Sequence, residues 1–125
     1  MLALIDTSLL LLLVESGRDV LRLVEEKVGE PVTPLVTDFV IEELKRLSSR
    51  ADRRGRNAKL ALEIAEEMRR VETGVVVGAD DALLKLASKG GYMVVTGDSG
   101  LQKRLRRLGV RCVYVSRRLE VHISA

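Results

Sequence analysis

Residues 94–100 read Val-Val-Thr-Gly-Asp-Ser-Gly. Tyr92–Val95 is a short apolar, β-branched run, and it stops at a glycine and an acid before Ser99–Leu108 takes up helical spacing. A strand that ends in a turn and leads into a helix is the unit of an α/β fold. The same grammar recurs through the chain. Leu2–Ile5 is a strand ending at Asp6, and Thr7 or Ser8 caps a helix through Val14. Asp19–Val28 has helical spacing. Pro31–Val36 reads as a strand, with Pro34 marking an irregular or edge position. Thr37 or Asp38 starts a helix whose apolar side carries Phe39, Val40, Leu44 and Leu47. The polar stretch Ser48–Lys59 joins it to a helix from about Asn57 to Arg70, with Leu60, Ile64 and Met68 on one face. Gly74–Val77 is a strand, Asp80 and Asp81 open a helix, and Val110–Val115 is the last strand, after a helix C′ glycine at Gly109.

The strands are continuous apolar runs rather than alternating ones, which means burial on both faces. The expected fold is α/β, a parallel sheet covered by helices on both sides. The 125 residues suit a single domain spanning 1–125, without linker or repeat. Apolar residues at 46% and charged residues at 31% mark a globular chain. A formal charge of +3 permits an anionic partner without requiring one. Cys112 is the sole cysteine, so no internal disulfide or cysteine-based zinc site forms, and a reducing cytoplasm is the simplest compartment. Asp6 within the first apolar run and the lack of a basic start argue against a signal peptide, and Leu9–Val14 is too short to span a membrane.

In an open α/β sheet, sites form beyond the carboxyl ends of the strands. Asp6, Asp81 and Asp98 all follow strands, and Glu42 and Glu43 lie on the second turn of a helix starting at the same edge. Singly, an aspartate after a strand is more often a cap or turn former, and glutamates on a charged helix are usually a solvated face. Gathered at one rim, these carboxylates repel one another, and a hard divalent cation, Mg²⁺ or Mn²⁺, relieves that repulsion through oxygen ligands. Asp6 interrupts an apolar run, so it is partly buried and needs a partner.

The sequence Leu-Ile-Asp-Thr-Ser (4–8), Val-Ile-Glu-Glu-Leu (40–44), Ala-Asp-Asp-Ala-Leu-Leu-Lys-Leu-Ala (79–87) and Val-Val-Thr-Gly-Asp-Ser-Gly-Leu (94–101) resembles the PIN-domain family from Leu2 to about Val115. Members of that family are metal-dependent ribonucleases, among them VapC-type toxins and nucleases of ribosomal RNA processing. The resemblance implies a three-layer α/β/α fold with a five-stranded parallel sheet. It places the four catalytic, metal-holding acids at Asp6, Glu43, Asp81 and Asp98, with Ser8, Asp80 and Thr96 in supporting positions. It departs from the family at Gly97, where asparagine is common. The implied reaction is hydrolysis of an RNA phosphodiester assisted by Mg²⁺ or Mn²⁺.

Arg53, Arg54 and Arg56 in the middle polar stretch, and Lys103 on the last helix, are candidate phosphate contacts, set against a merely solvated basic surface. With only Phe39, Tyr92 and Tyr114 aromatic, base stacking is not expected. Leu9–Val14 suits a surface for a homodimer or an antitoxin partner, and suits a core helix equally well. Gly97-Asp98-Ser99-Gly100 also spells the nucleophile stretch of trypsin-like proteases, but the sole histidine, His122, follows the serine instead of preceding it. No P-loop is present. A haloacid-dehalogenase-like site wants Asp-x-Asp, and residue 8 is serine. The rival from another class is a PIN-like fold that binds RNA or assembles on a protein without cleaving.

Overall fold

The structure, a computed structural model, describes residues 1–73 and 79–124, with the side chains of Ala79 and Asp80 outside that description. The elements run β1 (Leu2–Ile5), α1 (Thr7–Ser16), α2 (Val20–Val28), β2 (Thr33–Thr37), α3 (Asp38–Ser48), α4 (Arg53–Glu66), β3 (Arg69–Val71), α5 (Ala79–Ser88), β4 (Met93–Thr96), α6 (Ser99–Arg107), β5 (Cys112–Val115) and β6 (Val121–Ser124). The sheet order is β3-β2-β1-β4-β5-β6. The first five strands pair in parallel and β6 pairs antiparallel with β5.

Alternate residues of each strand enter two different cores. Ala3, Ile5, Val36, Val95, Val113 and Val115 pack with apolar residues of α1 to α4. Leu4, Leu35, Val94 and Cys112 pack with α5 and α6, through Leu83, Leu86, Leu101 and Leu105. The expected three-layer α/β/α arrangement is therefore present, and a sheet buried on both faces explains the unbroken apolar strands. Among the described residues no helix is long and apolar enough to cross a membrane.

The strand count and both ends of one helix differ from expectation. A sixth strand, Val121–Ser124, extends the sheet beyond five. The strand expected at Gly74–Val77 lies outside the described residues. Arg69 and Arg70, expected as the end of a helix, instead belong to the edge strand Arg69–Val71 on β2. A three-residue edge carrying two exposed arginines is poor at recruiting further strands, which suits its position. Pro34 pairs with Ala3, but pairing on the β3 side starts only at Leu35, so the proline faces no ladder that needs its missing N–H.

The helix expected from Asn57 begins four residues earlier, at Arg53, because Asp52 caps it by accepting from the Gly55 N–H at 3.0 Å. Its buried face is Ala58, Ala61 and Ala65, not the expected Leu60, Ile64 and Met68. Leu60 is 52% exposed, while Ile64 and Met68 are partly buried at the margin of the core. Small residues let α4 approach α1 and α3 closely. Leu9, Leu10 and Leu11 of the apolar α1 segment are core, and Leu12, Leu13 and Val14 pack partly against it.

Burial fixes the chemistry of Cys112. Desolvation, with the nearby Asp6 charge adding to it, pushes its thiol from the ordinary 9.0 up to about 12. The native thiol is expected to resist alkylation near neutral pH, while the denatured chain reacts readily. An acid whose pKa is raised by folding favours the fold fully below its unfolded value. That contribution falls between pH 9.0 and about 12, as the unfolded chain ionises first. Denaturant titrations across that window, compared with Cys112→Ala, measure the loss.

Candidate active site

The carboxyl ends of β1 and β4 are adjacent, since Ile5 pairs with Val95. Each strand ends at an acid that starts the next helix. Asp6 is the N-cap of α1 and accepts from the Leu9 N–H at 3.0 Å through Oδ1. Asp98 is the N-cap of α6, with Oδ1 accepting from the N–H groups of Gly100 at 2.8 Å and Leu101 at 3.2 Å. Both acids are therefore caps, yet neither is only a cap.

Asp6 is 5% exposed and carries hydrogen-bond donors on both oxygens. The Ser8 hydroxyl straddles Oδ1 at 2.8 Å and Oδ2 at 2.9 Å. The Thr96 hydroxyl donates to Oδ2 at 2.5 Å. The same two hydroxyls bind the β4–α6 turn. Ser8 Oγ accepts from the Gly97 N–H at 3.0 Å, and Thr96 Oγ1 accepts from the Asp98 N–H at 2.9 Å. Asp6 is thus tied through Ser8 and Thr96 to the backbone that presents Asp98. A Cβ at Gly97 would sit 3.4 Å from the Ser8 carbonyl oxygen, an ordinary van der Waals contact, so the turn has room for a side chain there.

Thr96→Val keeps the shape of the side chain and removes both hydrogen bonds. It is expected to destabilise the fold by about 1–3 kcal/mol, the cost of stranding buried polar partners. Thr96→Ser should recover most of that loss. Urea midpoints of the three proteins check it.

Glu43 comes from α3, where Thr37 caps the helix by accepting from Val40 N–H at 3.2 Å. Its Oε1 accepts from the Thr7 hydroxyl at 2.5 Å, which turns the side chain toward the start of α1. Glu42 points elsewhere: it is exposed and ion-paired with Lys45 at 3.9 Å. Of the two glutamates, Glu43 lines the cleft and Glu42 does not.

Asp6, Ser8, Glu43 and Asp98 line one cleft of about 360 Å³, together with Glu15, Arg54 and Arg117. Thr96 lies beneath it, fully buried. Asp81 is not among the lining residues. It is half exposed and pairs with Arg104 of α6, Nη2 to Oδ1 at 2.9 Å. Asp80 falls outside the described side chains. Arg53 sits beside Arg54 in a shallow groove with Glu15 and Asn57. Arg56 and Lys103 are exposed and line neither.

Two lining residues escaped the sequence reading. Glu15 lies seven residues after Ser8 on α1, a same-face spacing that could have found it. Arg117 lies beyond the last expected strand, where no local pattern pointed to a site.

Among the described residues, no three Asp, Glu, His or Cys side chains converge closely enough to hold an ion. The donors nevertheless suit a hard divalent cation. All are oxygens, with no sulfur or imidazole in the cleft. Oδ2 of Asp98 and Oε2 of Glu43 accept no hydrogen bond among the described residues, because the cap and the Thr7 contact use the other oxygen.

A family model described as "PIN like domain" matches residues 3–118. The chain belongs to the PIN-like domain family. Among solved structures, this PIN-like domain is similar to the PIN domain endonuclease Utp24, with a TM-score of 0.80 and 23% identity, covering 98% of this chain and 90% of that one. It is also similar to a domain of a functionally unknown protein from Methanocaldococcus jannaschii, with a TM-score of 0.65 and 16% identity over 91% of this chain and 90% of that one. A third likeness is to VapBC2 from Rickettsia felis, bound to a DNA fragment from its promoter, with a TM-score of 0.59 and 16% identity over 86% and 93%. Comparison with curated protein sequences finds no match. At these identities the structural likenesses establish the fold of the PIN-like domain, and its chemistry must be argued from its own cleft.

Proposed function

We propose that this PIN-like domain is a metal-dependent ribonuclease hydrolysing RNA phosphodiester bonds. The observation that carries the reading is that Asp6, Glu43 and Asp98 line one cleft, with Asp6 held by Ser8, Thr96 and the α1 backbone. A buried carboxylate with that many donors is oriented, and orientation is what a metal ligand requires. Asp6, Glu43 and Asp98 would hold Mg²⁺ or Mn²⁺, and Asp81 would join them on leaving Arg104. The bound cation would supply an activated water and charge stabilisation at the phosphate. Asp6 supplies the fixed point of the site. Ser8 and Thr96 orient it, and the α6 cap sets the direction of Asp98. Arg54, with Arg53 beside it, would contact RNA phosphates, and Arg56 and Lys103 would add weaker, longer-range attraction.

The non-cleaving alternative draws support from the lack of a converged acidic triad among the described residues. One measurement separates the two. Wild-type protein is expected to cleave single-stranded RNA with Mn²⁺ or Mg²⁺ and to stop when EDTA is added. Cleavage that persists in EDTA would refute metal dependence, while salt-sensitive RNA binding without cleavage would establish the binding role. The biological setting has its own discriminator. A short antitoxin-like reading frame directly upstream of the gene would assign a toxin with an antitoxin partner, in line with the named VapBC2 likeness. An isolated gene would assign RNA processing.

A further inference from the structure

The cleft has a charge problem that its acids cannot solve. Asp6, Glu15, Glu43 and Asp98 line it against two guanidinium groups, Arg54 and Arg117. An RNA phosphate entering there meets a surplus of negative charge. Neither arginine forms an ion pair among the described residues, although carboxylates line the same cleft. Both groups are left available to an incoming anion.

Arg117, like Arg54 on the capped helix α4, has a fixed base. It sits on the turn joining β5 to β6. Ser116 N–H donates to the Glu120 carbonyl at 3.0 Å, and Leu119 N–H donates to the Ser116 carbonyl at 2.8 Å. Ser116 Oγ accepts from the Glu120 N–H at 3.1 Å. Leu119 holds a left-handed conformation, φ 64°, which costs a non-glycine residue energy, and its side chain packs against the main core in return. The turn is therefore anchored by three hydrogen bonds and one apolar plug. A guanidinium carried on it offers a planar fork of donors suited to phosphate oxygens.

We propose that Arg117 is a phosphate-positioning residue, clamping the RNA backbone at the rim of the acidic cleft. The proposal deepens the nuclease reading and rests on RNA being the ligand of this cleft. The neighbouring Arg118 is a built-in control, because it is exposed on the same turn and does not line the cleft.

The test uses a fluorescein-labelled single-stranded RNA dodecamer and fluorescence anisotropy in EDTA, so that binding is read without cleavage. Arg117→Ala is expected to weaken binding by about 10-fold and to lower the slope of log affinity against log salt by about 1, the signature of one lost phosphate contact. Arg117→Lys should restore the slope but only part of the affinity, since it keeps the charge and loses the fork. Arg118→Ala should change affinity much less. Equal effects of the two alanine variants would overturn the proposal, as would an unchanged slope in Arg117→Ala or no RNA binding by wild type. A parallel cleavage assay of wild type with Mn²⁺ keeps the two ideas apart. Cleavage with indifferent Arg117 refutes the clamp alone, whereas an Arg117-dependent slope without cleavage refutes the nuclease alone.

Discussion

Asp6→Asn is expected to reduce metal-dependent RNA cleavage by about 10²–10³-fold, the scale seen when one preorganised electrostatic group is removed from an active site. The reason is specific to where Asp6 sits. It is the most buried acid of the cleft, and both of its oxygens face donors. Asparagine retains the α1 cap, because its carbonyl oxygen still accepts from the Leu9 N–H, and Asn and Asp cap equally well. What it cannot retain is negative charge or a second acceptor. Its NH₂ group would face Ser8 and Thr96, whose hydroxyls must rotate to accept from it. That rearrangement should cost about 1–2 kcal/mol of stability. The expected pattern is thus a folded protein, a modest drop in denaturant midpoint and near-complete loss of cleavage. Circular dichroism, a urea titration and a cleavage time course with Mn²⁺ measure the three. An Asp6→Asn protein as active as wild type would remove Asp6 from the catalytic set.

The same residue shows what could be read from the chain alone. Asp6 and Asp98 each read singly as a cap, and only their shared place at one rim of the sheet, with the family motif, singled them out. The structure adds that the bland explanation, capping, is true of both and uses one oxygen of Asp98 while leaving the other uncommitted. Glu43 was separable from Glu42 only through the family motif, since both occupy the same helical turn. The Thr7 contact supplies the physical distinction. Asp81 was placed by the same kind of motif, yet the structure pairs it with Arg104, an electrostatic competitor 23 residues away that local pattern does not reveal.

Features that depend on long-range packing were the hidden ones. Val121–Ser124 has no strand signal strong enough to stand alone, and it becomes a strand because β5 offers it an edge. Arg117 inherits its position from that hairpin. The start of α4 was misplaced for a related reason. Ser-Ser-Arg-Ala-Asp-Arg-Arg-Gly-Arg-Asn-Ala-Lys is polar enough to read as a linker, and a glycine inside it strengthens that reading. The structure gives the glycine a different explanation, with a measurable consequence.

Gly55→Ala is expected to lower stability by about 2–3 kcal/mol, against the usual sign for this substitution in a helix. By propensity alone, replacing a helical glycine with alanine stabilises by about 1 kcal/mol. Here α3 and α4 meet at a tight corner. Arg50 and Asp52 pair across it, Nη2 to Oδ2 at 2.7 Å, and the Asp52 cap holds the Gly55 N–H. A Cβ on Gly55 would lie 2.0 Å from the Arg50 carbonyl oxygen and 2.7 Å from its carbon. Those atoms are backbone, so no side-chain rotation relieves the overlap, and the corner must open. Overpacking of this kind costs about 1–3 kcal/mol and at times more. The melting temperature should fall by roughly 10 °C for a chain of this size. Arg56→Ala is the matched control, since it raises helix propensity one residue further on at an exposed position and should stay within about 0.5 kcal/mol of wild type. Because Arg54 lines the cleft from the residue before Gly55, opening the corner also displaces the guanidinium proposed to contact phosphate, so on that proposal Gly55→Ala should weaken RNA binding even at temperatures where it remains folded. A Gly55→Ala protein more stable than wild type would show that α3 and α4 do not approach so closely, and that the glycine belongs to the linker its neighbours suggest.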